Sequence, residues 1–333
     1  MNHDIFSCIG NTPLVRLDKL AGDTRLLLYA KLEGLNLGGS IKDRAAKEII
    51  QDALKRGKIH ANTVVIESSS GNMGIGLAQV CAHLGLRFIC VVDPKTTRQN
   101  IKILKAYGAE IDMVERPDPA TGEYLKARLD RLKVLLQATP NSFWPDQYSN
   151  VSNPRAHHKT MHEIIEQLGA RLDFVFCATS TCGTLRGCAE YLRARDLPAQ
   201  VIAVDAVGSV IFGGEPAKRL IPGHGAAVRP RLYQPGLAAR LVSVTDLDCV
   251  VGCRRLVRQE AILAGGSSGA VVMAVEKIKH ELPAGSVCAA ILPDRGERYL
   301  DTIYSDAWVA EHFGEVSHLW CDEGQKELCL TAR

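Results

Sequence analysis

The nine residues NLGGSIKDR (36–44) set one lysine, Lys42, after two glycines and a serine and ahead of an Asp-Arg pair that starts a helical pattern. An amine there has three uses. It can be a solvated helix lysine, a clamp on phosphate, or, with a lowered pKa, a nucleophile that condenses with a carbonyl. Four other loops bear on the choice. SSSGNMG (68–74) and STCGT (180–184) each join an apolar strand to a helix, and GGSSGA (265–270) opens another helix. Hydroxyls and free amides at a helix N-terminus suit a carboxylate or a phosphate, although N-caps and turn glycines account for the same letters. PGHGA (222–226) adds flexible glycines and His224, a candidate base with no visible partner. No Gly-Lys-Ser/Thr follows the 180–184 loop, and no strand precedes a Gly-x-Gly-x-x-Gly. A monophosphate therefore fits better than a nucleotide, which argues against a Rossmann dehydrogenase. Loops that gather at the carboxyl ends of strands outline a phosphate-bearing carbonyl cofactor for Lys42.

The elements that must carry these loops alternate. TVVIES (63–68), RFICVVD (87–93), EIDMVE (110–115), FVFCAT (174–179) and QVIAVDAVG (200–208) read as buried strands. Between them lie the helical patterns 73–85, 98–108, 122–137, 158–169 and 184–196. Continuous apolar strands separated by helices predict an α/β protein with mostly parallel twisted sheets covered on both faces. The stretch 209–240 holds four prolines and five glycines, irregular backbone of a length that usually carries function. Regular structure resumes with LVSVTD (241–246), a helix to about Leu263, another from Ser268 and the strand SVCAAILPD (286–294), ahead of a polar tail.

Composition sets the bounds. The chain has 333 residues, 46% hydrophobic and 23% charged, with 40 basic against 37 acidic residues. A net charge of +3 gives no electrostatic footprint for nucleic acid or anionic membrane. No apolar run is long enough to span a bilayer, and the opening residues lack the core of a signal peptide, so a cytoplasmic location is expected. Eleven cysteines with no Cys-x-x-Cys read as small hydrophobes in a reducing compartment; Cys249 and Cys253 share a helix face but have no second ligand pair, so no metal is expected.

Taken in order, these motifs resemble a fold-type II pyridoxal-phosphate enzyme of the cysteine synthase and cystathionine β-synthase family. IGNTPLVRL (9–17), GGSIKDR (38–44), SSGN (69–72), STCGT, GGSSGA and LPDRGERYL (292–300) match its successive signatures. The resemblance implies a tryptophan synthase β-like fold of two three-layer domains. A small mobile one would span 46–150, a large cofactor-holding one 1–45 plus 151–313, and 314–333 would be a peripheral tail. It implies that Lys42 holds pyridoxal 5'-phosphate as a Schiff base and serves as the catalytic base. Asn72 would bond the ring hydroxyl, while Ser180, Thr181, Cys182, Gly183 and Thr184 would cradle the phosphate and Ser267 would face the ring nitrogen. A serine at that place favours β-replacement over transamination. Ser69, Ser70 and Gly71 would take the substrate carboxylate.

The chain departs from common cysteine synthases at Gln147-Tyr148, where Gln-Phe is frequent, and at Ser180, where glycine is. Both departures add hydroxyls and favour O-phospho-L-serine as donor, with Arg128 and Arg229 as candidate cations. VVDPK (91–95), DAVGSVIFG (205–213) and the closing signature resemble one subgroup. Its members make N-(2-amino-2-carboxyethyl)-L-glutamate, a precursor of 2,3-diaminopropionate for a siderophore, from O-phospho-L-serine and L-glutamate. The alternative within the family is a cysteine synthase taking sulfide with O-phosphoserine or O-acetylserine; outside catalysis, it is a silent regulatory protein on the same fold. The family also implies a homodimer.

Overall fold

A computed structural model describes residues 4–22, 25–120 and 122–321. In chain order the elements are β1 (Leu14–Arg16), α1 (Asp18–Ala21), β2 (Leu27–Leu32), α2 (Lys42–Lys55), β3 (Val64–Ser68), α3 (Asn72–Leu84), β4 (Arg87–Val92), α4 (Arg98–Ala106), β5 (Glu110–Met113), α5 (Tyr124–Ala138) and β6 (Ser142–Phe143). They continue with α6 (Ser152–Leu168), β7 (Phe174–Ala178), α7 (Gly183–Arg193), β8 (Gln200–Ala206), β9 (Arg240–Val244), α8 (Asp246–Glu260), α9 (Gly266–Ile278), β10 (Val287–Leu292) and α10 (Asp306–Phe313).

The strands form two sheets. One has six strands in the order β1-β2-β10-β7-β8-β9, parallel except for β1 against β2; the other has four parallel strands, β5-β4-β3-β6. Each is covered on both faces, which is why the strands read as unbroken apolar runs. Residues of α8 and α9 fill one core of the large sheet, and residues of α6 and α7 fill the other. On the small sheet α2 and α3 supply one core and α5 lies over the other face. This is the three-layer α/β architecture expected from the alternation.

Details differ from the sequence reading. The boundary drawn at 45/46 falls inside α2, and Phe6 and Ile9 from the first segment pack into the small-sheet core with Ala45 and Ile49. Helix α6 begins at Ser152, not near His158, because Pro154 sits in its first turn, where a missing N–H costs nothing. The tail was expected to be peripheral, yet Trp320 and Cys321 are buried against the large core; residues 322–333 lie outside the described residues.

Glycine sets the closest approach in the large core. A Cβ on Gly252 of α8 would land on the Gly269 carbonyl of α9, and one on Gly269 would meet the Cys249 carbonyl and the Cys253 thiol. The two cysteines that share a face of α8 therefore serve packing, with Cys253 Sγ donating to the Gly265 carbonyl at 3.2 Å. Among the described residues no cluster of metal-ligating side chains occurs. Alanine gains about 0.5–1 kcal/mol over glycine within a helix, but overpacking a fitted interface costs about 1–3 kcal/mol. Gly252→Ala should thus lower stability by roughly 1–2 kcal/mol in denaturant titration; an unchanged or raised midpoint would show that α8 and α9 can separate freely.

Candidate active site

Lys42 is the first residue of α2, and its position is fixed by the turn before it. The Ile41 N–H donates to the Pro293 carbonyl at 2.7 Å, and Asp43 Oδ2 accepts from the Gly38 N–H at 2.6 Å. Gly39 has φ +84, a left-handed conformation that only glycine holds without strain. Burial pushes the Lys42 ammonium below the usual lysine range, against the opposing pull of the Asp294 carboxylate and the Cys182 thiol. A partly unprotonated amine is what carbonyl condensation needs.

Asp294 joins the loops around that amine. One carboxylate oxygen accepts from Asn72 Nδ2 at 2.8 Å and from the Tyr299 hydroxyl at 2.5 Å. The Asp294 carbonyl takes the Gly265 N–H at 3.1 Å, at the entrance to the Gly265–Ala270 loop. Asn72 Oδ1 is held by Arg298 Nη1, whose Nη2 donates to the Gly38 carbonyl at 2.5 Å. The first residue of α3 is thereby tied to the turn that carries Lys42. Asp294, Arg298 and Tyr299 were matched in the sequence only as a closing signature, without roles. Burial raises the Asp294 pKa above the carboxylate range, and its other oxygen is buried without a hydrogen-bond partner.

The 180–184 loop ends at α7. Cys182 has φ +64 just before the helix, a strained turn held by burying the thiol against Ile211, Ala226 and Leu232. The amides of Gly183 and Thr184 then open the helix, with Thr181 Oγ1 accepting from the Gly183 N–H at 3.3 Å and Thr184 Oγ1 lying 3.4 Å from His157 Nε2. A helix N-terminus with two flanking threonine hydroxyls fits the phosphate of a cofactor, and Lys42 fits its carbonyl. Cys182 contributes the turn and its amide; burial pushes its thiol up to about 12. Ser267 lies in the first turn of α9, among buried small residues.

The residues expected to meet the substrate make contacts of their own. Ser69 Oγ accepts the Gly74 N–H at 2.9 Å, leaving its hydroxyl proton to give, while the Ser70 carbonyl is taken by Asn100 at 2.9 Å. Gln147 is buried, its carbonyl bound by Asn153 Nδ2 at 2.8 Å. Tyr148 leaves 38% of its surface exposed, but its hydroxyl end is desolvated. That burial raises its pKa against a Ser180 hydrogen bond and the charges of Arg128 and Arg219. Arg128 does not face water: it pairs with Asp93 at 3.2 Å and keeps Nε and Nη1 buried with no hydrogen-bond partner. Arg229 is elsewhere, donating to the Ile211 carbonyl at 2.9 Å and lying over the Tyr233 ring. His224 is fully buried and neutral, its pKa lowered to about 4 by burial and by Arg219. No acid orients it among its described hydrogen bonds, so it lacks the partner of a general base.

Glu67, at the end of β3 under the substrate loop, is a further buried acid. Its Oε1 accepts from the Ser68 N–H at 2.8 Å and from Trp144 Nε1 at 3.1 Å, and burial pushes its pKa to about 7 from 4.5. The folded state holds this proton longer than the unfolded chain does, so the group lowers stability as pH rises from about 4.5 to about 7. Glu67→Gln should therefore gain in melting temperature relative to the parent at pH 8 compared with pH 5; a difference independent of pH would contradict the assignment. Lys42 makes a separate prediction. Borohydride treatment after loading with pyridoxal phosphate, followed by peptide mapping, should place the reduced cofactor on Lys42 and on no other lysine.

Comparison with known proteins gives the chain a family and relatives. A family model described as pyridoxal-phosphate dependent enzyme matches residues 5–294. A protein of Ralstonia nicotianae named N-(2-amino-2-carboxyethyl)-L-glutamate synthase is 46% identical over 307 residues, covering 92% of this chain and 90% of its own. Among solved structures, O-ureido-L-serine synthase superposes with a TM-score of 0.86 at 30% identity, over 99% of both chains. The O-acetylserine-dependent cystathionine β-synthase of Helicobacter pylori gives 0.84 at 33% identity, over 92% of this chain and 99% of its own.

Proposed function

Because the chain belongs to the pyridoxal-phosphate dependent enzyme family, we propose that it joins O-phospho-L-serine to the amine of L-glutamate, giving N-(2-amino-2-carboxyethyl)-L-glutamate and inorganic phosphate. The 46% identical relative bears the name of this synthase, which supports the reading. The observation that carries it is Arg128: a guanidinium taken from water, whose Nε faces Asp93 while its Nη1 is buried with no hydrogen-bond partner, and whose charge acts on the Tyr148 hydroxyl. A buried donor left without an acceptor costs about 1–3 kcal/mol. A phosphate ester, rich in acceptor oxygens, removes that cost better than an acetyl group does.

The chemistry supplied by bound pyridoxal phosphate is an electron sink that acidifies the Cα of an amino acid condensed with it. The chain does the rest. Ser69, Ser70 and the Gly71 and Asn72 amides at the start of α3 receive the carboxylate of O-phosphoserine. Lys42 Nζ, which burial leaves partly unprotonated, takes the Cα proton and later returns it. The Cβ–O bond breaks toward Arg128, Tyr148 and Ser180, and the glutamate amine forms the new C–N bond at Cβ. Asp294 and Arg298 hold Asn72 in place while this occurs. Ser267, a neutral hydroxyl toward the ring, favours β-replacement over transamination.

The product would be a precursor of 2,3-diaminopropionate for siderophore assembly, made by a cytoplasmic homodimer. Among the described residues the nine cysteines from Cys8 to Cys288 form no disulfide, which supports a reducing compartment. A cysteine synthase is the second reading, supported by solved relatives such as the Entamoeba histolytica cysteine synthase at 31% identity. Incubating the loaded enzyme with O-phosphoserine and either L-glutamate or sulfide, then identifying products by mass, decides between them; cysteine as the sole product would sink the proposal. Arg128→Gln should lower kcat/KM for O-phosphoserine by about 10- to 100-fold, with a smaller loss for O-acetylserine.

A further inference from the structure

The residues 207–239 between β8 and β9 form one wall of the cleft and contain a second cation that the reaction above does not use. The Gly225 N–H donates to the Thr179 carbonyl at 2.7 Å, one residue before Ser180, and the Leu232 N–H donates to the Tyr148 carbonyl at 3.2 Å. The segment is thus bonded to both residues that mark the donor pocket. Within it Arg219 is half-buried, its Nη1 gripping the His224 carbonyl at 2.9 Å, while Nε is buried without a partner. Among the described residues it forms no ion pair, in contrast to Arg128, which has Asp93. Beside it the His224 ring is 1% exposed with both nitrogens unpartnered. Two adjacent side chains therefore hold buried polar atoms that nothing among the described residues satisfies. Such groups are expected where a ligand completes them.

We propose that Arg219 is the specificity-determining residue for the acceptor, receiving the side-chain carboxylate of a dicarboxylic amino acid, with the neutral His224 ring available as a second donor. This rests on the β-replacement reading and names what that site selects. Glutamate carries its nucleophilic amine at one end and its side-chain carboxylate at the other. With the amine at Cβ of the donor, the far carboxylate must be met on a cleft wall. Arg128 is occupied there on two counts, by Asp93 and by the leaving phosphate. Arg219 comes from the segment after β8, has no carboxylate within ion-pair distance among the described residues although its charge reaches the buried Asp205, and is held by its bond to the His224 carbonyl. Sulfide would need neither cation.

The test compares acceptors. The loaded parent enzyme and the Arg219→Gln and Arg219→Lys variants are assayed with O-phosphoserine and L-glutamate, L-glutamine or L-alanine. Binding of glutarate, a dicarboxylate without the amine, is measured by calorimetry. The glutamate-over-glutamine ratio of kcat/KM should fall about 10- to 100-fold in Arg219→Gln, through KM. Glutarate affinity should fall with it, and Arg219→Lys should restore part of both. Equal losses for all three acceptors, or a loss confined to the KM of O-phosphoserine, would overturn the assignment while leaving the synthase reading intact. A parent enzyme that does not accept glutamate would instead refute the reading beneath it.

Discussion

Arg44 is the point on which the arrangement of the chain turns. Its guanidinium is buried and bonds two carboxylates at once, Glu33 through Nε and Nη2 at 2.6 and 2.7 Å, and Glu163 through Nη1 and Nη2 at 2.7 Å each. Lys31 adds a second cation on Glu163 at 2.8 Å and donates to the Thr12 carbonyl at 2.6 Å, while the Thr12 hydroxyl donates to Glu33. Two cations thus balance two anions, and the pairing holds the Glu163 carboxyl down to about 2 against the opposing effect of burial. Such a cluster is weak evidence for net stability, because desolvating the charges costs nearly what their attraction returns. Its effect lies in the penalty for moving any one member, about 3–5 kcal/mol when a partner is lost. The segment 9–17, strand β2, helix α2 and helix α6 can meet in one register only, and Lys42 is two residues from Arg44 on the same helix.

That constraint explains how a lysine at a helix start can be positioned within the cleft although its own side chain must stay free to react. The backbone on either side is fixed from three directions: by Pro293 and Asp43 before it, by the charge cluster after it, and by the close approach of Gly76 to Ala46 across α2 and α3. A reactive amine with no hydrogen bonds of its own needs such a frame.

Much of this was legible in the sequence because parallel strands buried on both faces leave an unambiguous apolar signal, and because loops at their carboxyl ends carry the hydroxyls and glycines of a ligand site. Lys42, Asn72 and the 180–184 loop converge as that pattern requires. What stayed hidden depended on partners distant in the chain. Asp294 reads as a turn acid until it meets Asn72, 222 residues earlier. Arg128 and Arg229 read alike as candidate cations, since nothing in the sequence around either shows that Arg128 lies beside Asp93 and Tyr148 whereas Arg229 is bonded to Ile211. Arg219 lies in a stretch without periodicity, where burial has no sequence signature at all. Conversely the GGSSGA loop combined two readings that sequence could not separate: Gly265 is bonded to Asp294, whereas Gly269 is there for packing against Gly252.

The two cations of the cleft come from different layers of the molecule, and this has a consequence for how the site can work. Arg128 is carried by α5 over the four-stranded sheet, whereas Arg219 is carried by the irregular segment that follows β8 of the six-stranded sheet. Tyr148 feels both charges and is bonded to the six-stranded unit twice, through Ser180 and through its carbonyl bond to Leu232. Arg128 keeps Asp93 as its ion-pair partner, and on the proposed reading a dianionic donor or a dicarboxylate acceptor entering near Tyr148 gains attraction from both guanidinium charges. On that reading the substrate's charge is held by groups of both layers at once, which would place its reacting atoms away from water. An acceptor without a side-chain carboxylate would leave Arg219 unengaged, so under this reading selectivity for the acceptor is electrostatic in origin.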